Sequence, residues 1–215
     1  MGFVPNSHEQ MTWTEAERGL AWLPRRAVTA FAVRAARRVA PVVAKLEPVY
    51  GPEAMEWLNV LEATIRVTKS YAWGRPVSRF TLDLVAEAAR VAATATATAA
   101  RHHGPSPLIE EAELAYAAAA FAADSARTPI PMKAVSCAVR CAHSAAAGGD
   151  LTPEQCADLT LLLGRIVDQP GQLGEPIDPS EVGPLGPIWP HGEPAWWTEG
   201  WAKLRSAGLP KLFTT

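Results

Sequence analysis

Alanine dominates the middle of this chain, through runs such as Ala92-Ala93, Ala117 to Ala120 and Ala145 to Ala147. Alanine has the best helix propensity, and its methyl side chain lets helices approach closely. A chain built this way is predicted to be all-α, and its punctuation agrees. Proline stands where a helix can begin, at Pro24, Pro52, Pro107 and Pro153, and glycine where one can stop, at Gly74, Gly104 and Gly148-Gly149. Proline at a first helical position loses no hydrogen bond, and glycine closes helix ends without steric cost.

Read this way, the chain divides into seven helical segments. Thr14-x-x-Glu17 has the form of a capping box, so a short first helix is predicted to run from there to about Leu23. A second spans Arg25 to Ala40, with Val28, Phe31, Ala32, Ala35 and Val39 as its apolar stripe, and Pro41 kinks or ends it. A third opens at Gly51-Pro52 and presents Met55, Leu58, Leu61, Ile65 and Thr68. The fourth starts near Ser78 and runs through Phe80, Leu84, Ala88 and Val91 to His102. Its Ala/Thr alternation has a strand-like period, but its flanks are helical and alanine disfavours strands. The next three begin at Ser106-Pro107, after Thr128-Pro129-Ile130-Pro131, and at the capping box Thr152-Pro153-Glu154-Gln155.

The character changes beyond Val167. Seven prolines and five glycines fall within the 26 residues Gln169 to Pro194, which excludes a regular helix or central strand. Trp189, Trp196, Trp197 and Trp201 lie within or just after this stretch, unlike a disordered linker. The expected architecture is therefore an alanine-rich bundle of about six to seven helices over 1–168. A Pro/Gly/Trp-rich arm and a short terminal helix, from about Glu193 to Ala207, pack on it over 169–215.

Two stretches carry a resemblance. Leu23-Pro24-Arg25-Arg26-Ala27, continuing as Phe31-Ala32-Val33-Arg34-Ala35-Ala36-Arg37-Arg38-Val39 and Pro41, is similar to a motif in uncharacterised helical proteins of large planctomycete genomes. Gly183-Pro184-Leu185-Gly186-Pro187-Ile188-Trp189-Pro190-His191-Gly192-Glu193-Pro194 resembles the tail of the same proteins, with Gly186-Pro187 inserted or displaced. Those proteins tend to carry glycine-tryptophan after the last proline, where this chain has Ala195-Trp196-Trp197. The resemblance implies a bacterial helical architecture and no activity.

Few functional classes find support. The formal net charge of −2 favours neither nucleic acid nor its absence. Three cysteines make no secreted disulfide framework, the amino terminus has no signal-peptide pattern, and no 18 apolar residues run together, so a cytoplasmic location is expected. Cys137 and Cys141 share a helical face, but His143 falls about 200° round from Cys141. With Cys156 they read as small core residues ahead of a metal or thiol centre. His102-His103 read as C-terminal caps favoured by the helix dipole. A helical ribonuclease with an R-x4-6-H motif does not fit, because Arg101 adjoins His102 and Arg140 precedes His143 by only three. No cofactor motif is present, nor any G-x-S-x-G, P-loop, H-E-x-x-H or G-x-G-x-x-G sequence.

Arg25, Arg26, Arg34, Arg37 and Arg38 are the strongest local feature. Seven basic residues and no acidic one lie between Arg18 and Lys45. Such a helix is either a solvated face, partly paired with Glu110, Glu111 and Glu113, or a contact surface. Trp189, Trp196 and Trp197 are either anchors for the arm or a partner hot spot. The preferred expectation is a non-enzymatic helical interaction module: an adaptor, accessory subunit or inhibitor with a protein partner. Nucleic-acid binding through the arginine face, as in a defence-associated component, comes second. A metal or thiol enzyme comes last.

Overall fold

The computed structural model describes residues 11–46, 52–103, 106–165 and 172–206. Among the described residues it contains eight α-helices, one 3₁₀ segment and no strand. Seven helices build the bundle: α1 (Trp13–Ala21), α2 (Arg25–Val39), α3 (Pro52–Ala72), α4 (Arg79–His103), α5 (Pro107–Arg127), α6 (Pro131–Ala145) and α7 (Pro153–Arg165). The terminal helix α8 spans Ala195–Ser206. The all-α, alanine-packed bundle expected from the sequence is what forms. No described helix is long and apolar enough to cross a membrane.

Helices α2 and α5 are central. Helix α5 buries Ala112, Ala115, Ala118, Ala119, Ala122, Ala123 and Ala126 around its circumference, as a helix surrounded by others must. Each buried methyl contributes only roughly 0.8 kcal/mol, so close packing over many residues replaces a few large anchors. The Ala/Thr tract of α4 is helical, as its alanines favour, and its threonine hydroxyls are satisfied within the helix, Thr94 Oγ1 donating to Arg90 O (3.0 Å) and Thr96 Oγ1 to Ala92 O (2.8 Å).

Two details differ from expectation. Thr12 and Glu15, rather than Thr14 and Glu17, form the first capping box, with Thr12 N–H donating to Glu15 Oε2 at 2.8 Å. Two overlapping T-x-x-E registers exist, and tertiary contacts choose between them. Trp13 Nε1 donates to Gly149 O at 3.0 Å, and its ring packs on His143. On α4 the buried stripe is Leu82, Val85, Ala86, Ala89 and Ala92, whereas Phe80, Leu84 and Val91 are exposed. The small face of α4 is the one that admits a neighbouring backbone, so the large residues turn outward. The side chains of Met55, His102 and His103 lie outside the described part.

After Val39 the chain tightens into the 3₁₀ segment Ala40–Leu46, because Pro41 lacks the N–H that would continue α2. Helix α8 docks there through Gly200, where an added Cβ would stand 2.5 Å from Pro41 Cβ and 2.7 Å from Pro41 O. Gly200→Ala is therefore expected to cost about 1–3 kcal/mol and to expose the tryptophans of α8. Urea unfolding and a red shift of tryptophan emission would read this out. An unchanged midpoint would show that α8 does not depend on the contact.

Candidate interaction surface

The arginines of α2 are where the arm is held. Arg34 and Arg38 sit one turn apart, so both reach Asp158 of α7. Arg34 Nε donates to Asp158 Oδ1 at 2.8 Å, and Arg38 Nη2 donates to Oδ2 at 2.7 Å. All three side chains are buried. Other donors of the two guanidiniums serve three consecutive arm carbonyls. Arg34 Nη1 and Nη2 reach Gly186 O and Pro187 O at 2.9 and 2.8 Å, and Arg38 Nε and Nη2 reach Ile188 O at 3.2 and 3.0 Å. A proline- and glycine-rich segment cannot satisfy its own carbonyls with a ladder or helix, and buried carbonyls need donors. The planar guanidinium supplies several in fixed geometry. Burial pulls the Arg38 pKa below its ordinary value, and Asp158 opposes that shift.

The other arginines continue the pattern. Pro24 provides no side-chain cap for α2, and the arm caps it instead. Arg25 and Arg26 N–H groups donate to Gln172 O (2.8 Å) and Leu173 O (3.0 Å). Arg26 Nη1 reaches Gly174 O at 2.9 Å, and Arg25 Nη2 reaches Thr128 O at 2.8 Å and Ala126 O at 3.2 Å at the carboxyl-terminal end of α5. Arg37 Nη2 pairs with Glu181 at 2.7 Å. Thus the arm runs beside α2 in the same direction, tied at both ends. The carboxylate partners of these arginines lie on α7 and the arm; of the expected pairings with Glu110, Glu111 and Glu113, the described residues show one, Lys45 with Glu111 at 3.7 Å.

The tryptophans complete this latch. Trp189 meets Trp196 and Trp197 edge-on at 6.3 Å, and Trp197 meets Trp201 at 6.0 Å. Trp197 Nε1 donates to Arg37 O at 3.1 Å. That carbonyl is the one Pro41 leaves without its i+4 donor, so the indole replaces the missing helix bond. The guanidinium of Arg38 lies over Trp189, and Lys45 Nζ lies over Trp196 at 5.4 Å. The sequence-predicted set Arg25, Arg26, Arg34, Arg37, Arg38, Trp189, Trp196 and Trp197 is therefore brought together by intramolecular bonds along one side of α2.

The cysteines do not converge on a reactive centre. Cys141 is buried, its thiol donating to Ala32 O at 3.1 Å, and burial pushes all three thiols above their ordinary pKa. A nucleophilic thiol needs the opposite shift. Among the described residues no three His, Cys, Asp or Glu side chains group as metal ligands.

The surface that sequence reasoning missed lies at the amino-terminal end of α2. Seven of the ten large apolar side chains exposed among the described residues gather there. Trp22 caps α1 just before Arg25, whose guanidinium reaches Thr128 O next to Ile130 and Met132. Arg127 Nη1 bonds Asp83 at 2.8 Å, which brings Phe80 and Leu84 of α4 to the same corner. Gly74, with a φ of 78°, closes α3 against Pro176 and Arg26, and Leu173 O accepts from the Arg26 N–H, so Trp73 and Leu173 both lie at this end of α2. Phe80 is 76% exposed and Trp22 65%. Of this surface, Phe80 and Leu84 were visible in the sequence as apolar positions of one helix, with no local signal for the side that faces out.

Compared with protein-family models, curated proteins and solved structures, the chain matches none.

Proposed function

We propose that this protein is a non-enzymatic helical interaction module of the bacterial cytoplasm, an adaptor, accessory subunit or inhibitor within a larger complex. The observation that carries this reading is the gathering of exposed Trp22, Trp73, Phe80, Leu84, Ile130 and Met132 at one end of the bundle. Apolar side chains scattered singly are ordinary, whereas a group of them marks a binding surface. Tryptophan and methionine are also the residues that interfaces enrich. The arginines support the same reading by being engaged elsewhere. Arg34 and Arg38 are buried on Asp158 and the arm, so the exposed ladder that phosphate-backbone binding requires is not on offer.

A photo-crosslinking amino acid at Leu84, with a second at exposed Val182 on the arm as control, tests the reading in the cells that make the protein. Leu84 is expected to give one discrete adduct that Val182 does not. No adduct, or the same adducts from both positions, would overturn it.

A further inference from the structure

Resting on that reading, we infer that the exposed end of the bundle takes an acidic, apolar-anchored peptide segment of a different protein. The apolar side chains there are ringed by cations without carboxylate partners. Arg75, Arg79 and Lys133 are exposed and form no ion pair among the described residues. The carboxylates of the same corner are engaged: Asp83 with Arg127, Asp178 with Lys69, and Glu175 in an interaction of its own. Arg75 lies over the Trp73 ring at 4.2 Å. The stacking holds its guanidinium at the edge of the apolar group with its N–H donors free for a carboxylate.

This end is positive on a chain whose net charge is −2, so the rest of the surface is more negative than the total. That asymmetry steers an acidic partner toward this end. It also opposes pairing of two such ends across a two-fold axis, which would set Arg75, Arg79 and Lys133 against their own copies. The number of cations decides against other anionic partners. The three cations without a carboxylate partner among the described residues fall short of the roughly 4–8 that hold a protein to anionic lipid. They fall equally short of the roughly 6–10 phosphate contacts of a typical nucleic-acid binder. An apolar anchor flanked by two or three carboxylates matches the groups present.

The test uses the full chain as bait for a displayed library of random 16-residue peptides. Selected peptides are expected to combine Asp or Glu with Trp, Phe or Leu. They should bind about tenfold more weakly to Phe80→Ser/Leu84→Ser, and to Arg75→Glu/Arg79→Glu/Lys133→Glu. Selection against the triple charge reversal should return basic peptides instead. These sites are exposed, so both variants should keep the parent melting curve, which separates lost binding from lost folding. Peptides without acidic enrichment, or binding indifferent to both variants, would overturn the inference. So would tight binding to phosphatidylglycerol vesicles with the same sensitivity. If crosslinking at Leu84 finds a partner while the selection shows no acidic preference, only the partner's chemistry is refuted. If crosslinking finds none, the functional reading falls with it.

Discussion

Asp158→Ala is expected to destabilise the fold by about 3–5 kcal/mol, the cost of breaking a buried ion pair by removing one side. The carboxylate sits between Arg34 and Arg38 at 2.8 and 2.7 Å, with all three groups out of water. Without it, two guanidinium charges remain buried with only carbonyl dipoles to face. Asp158→Asn keeps the shape but not the charge, so an intermediate loss is expected. Urea unfolding followed by circular dichroism would measure both. A loss below about 1 kcal/mol for the alanine variant would mean that the two guanidiniums are not held out of water.

The triple replacement Arg34→Met/Arg38→Met/Asp158→Leu sharpens the point. Substituting an entire buried ionic group by apolar residues is often neutral or stabilising. Here it is expected to remain destabilising, because Gly186 O, Pro187 O and Ile188 O would lose their donors. The arginines thus act as a backbone-satisfying device as well as a charge network.

The second large effect is expected from Arg34→Lys, a change that preserves charge. An ammonium is a point donor without the planar fork, so it cannot serve Asp158, Gly186 O and Pro187 O together. The expected loss is on the order of 2–4 kcal/mol, and it should fall on the arm before the bundle. Limited proteolysis should then cut between Gly174 and Pro194 while the bundle fragment stays intact. Emission from Trp189 and Trp197 should shift to the red in parallel. Arm and bundle melting as one unit in this variant would show that the arm is not separately latched.

Much of the fold was legible because its signals are local. Pro107, Pro131 and Pro153 begin α5, α6 and α7 in the structure, and the Thr152–Gln155 box forms, with Thr152 N–H on Gln155 Oε1 at 3.0 Å. The misreadings arose where two local solutions were equally good. Thr12 and Thr14 each precede a glutamate by three residues. On α4, periodicity gave weight to Phe80, Leu84 and Val91, while the alanine stripe is the one that lets α4 approach its neighbours. The latch leaves one trace in the sequence. Gln155, Asp158, Leu159 and Leu162 recur at helical spacing, so an aspartate stands on a buried stripe and calls for a cation. The arginine run was the evident source, and it was read as facing outward.

The sequence by itself determined the helices, their ends and the irregular arm, because propensity, capping and proline chemistry act over a few residues. Only the tertiary structure decided which side of each helix is inside. The carbonyls of residues 186–188 come about 150 positions after the arginines that satisfy them. No local rule spans that distance; the pairing follows from burial, which leaves those carbonyls to be satisfied by the donors that Asp158 does not take up. The same packing turned Arg34 and Arg38 inward and left Phe80 and Leu84 outside, exchanging the face the sequence offered for partners with the one the fold presents.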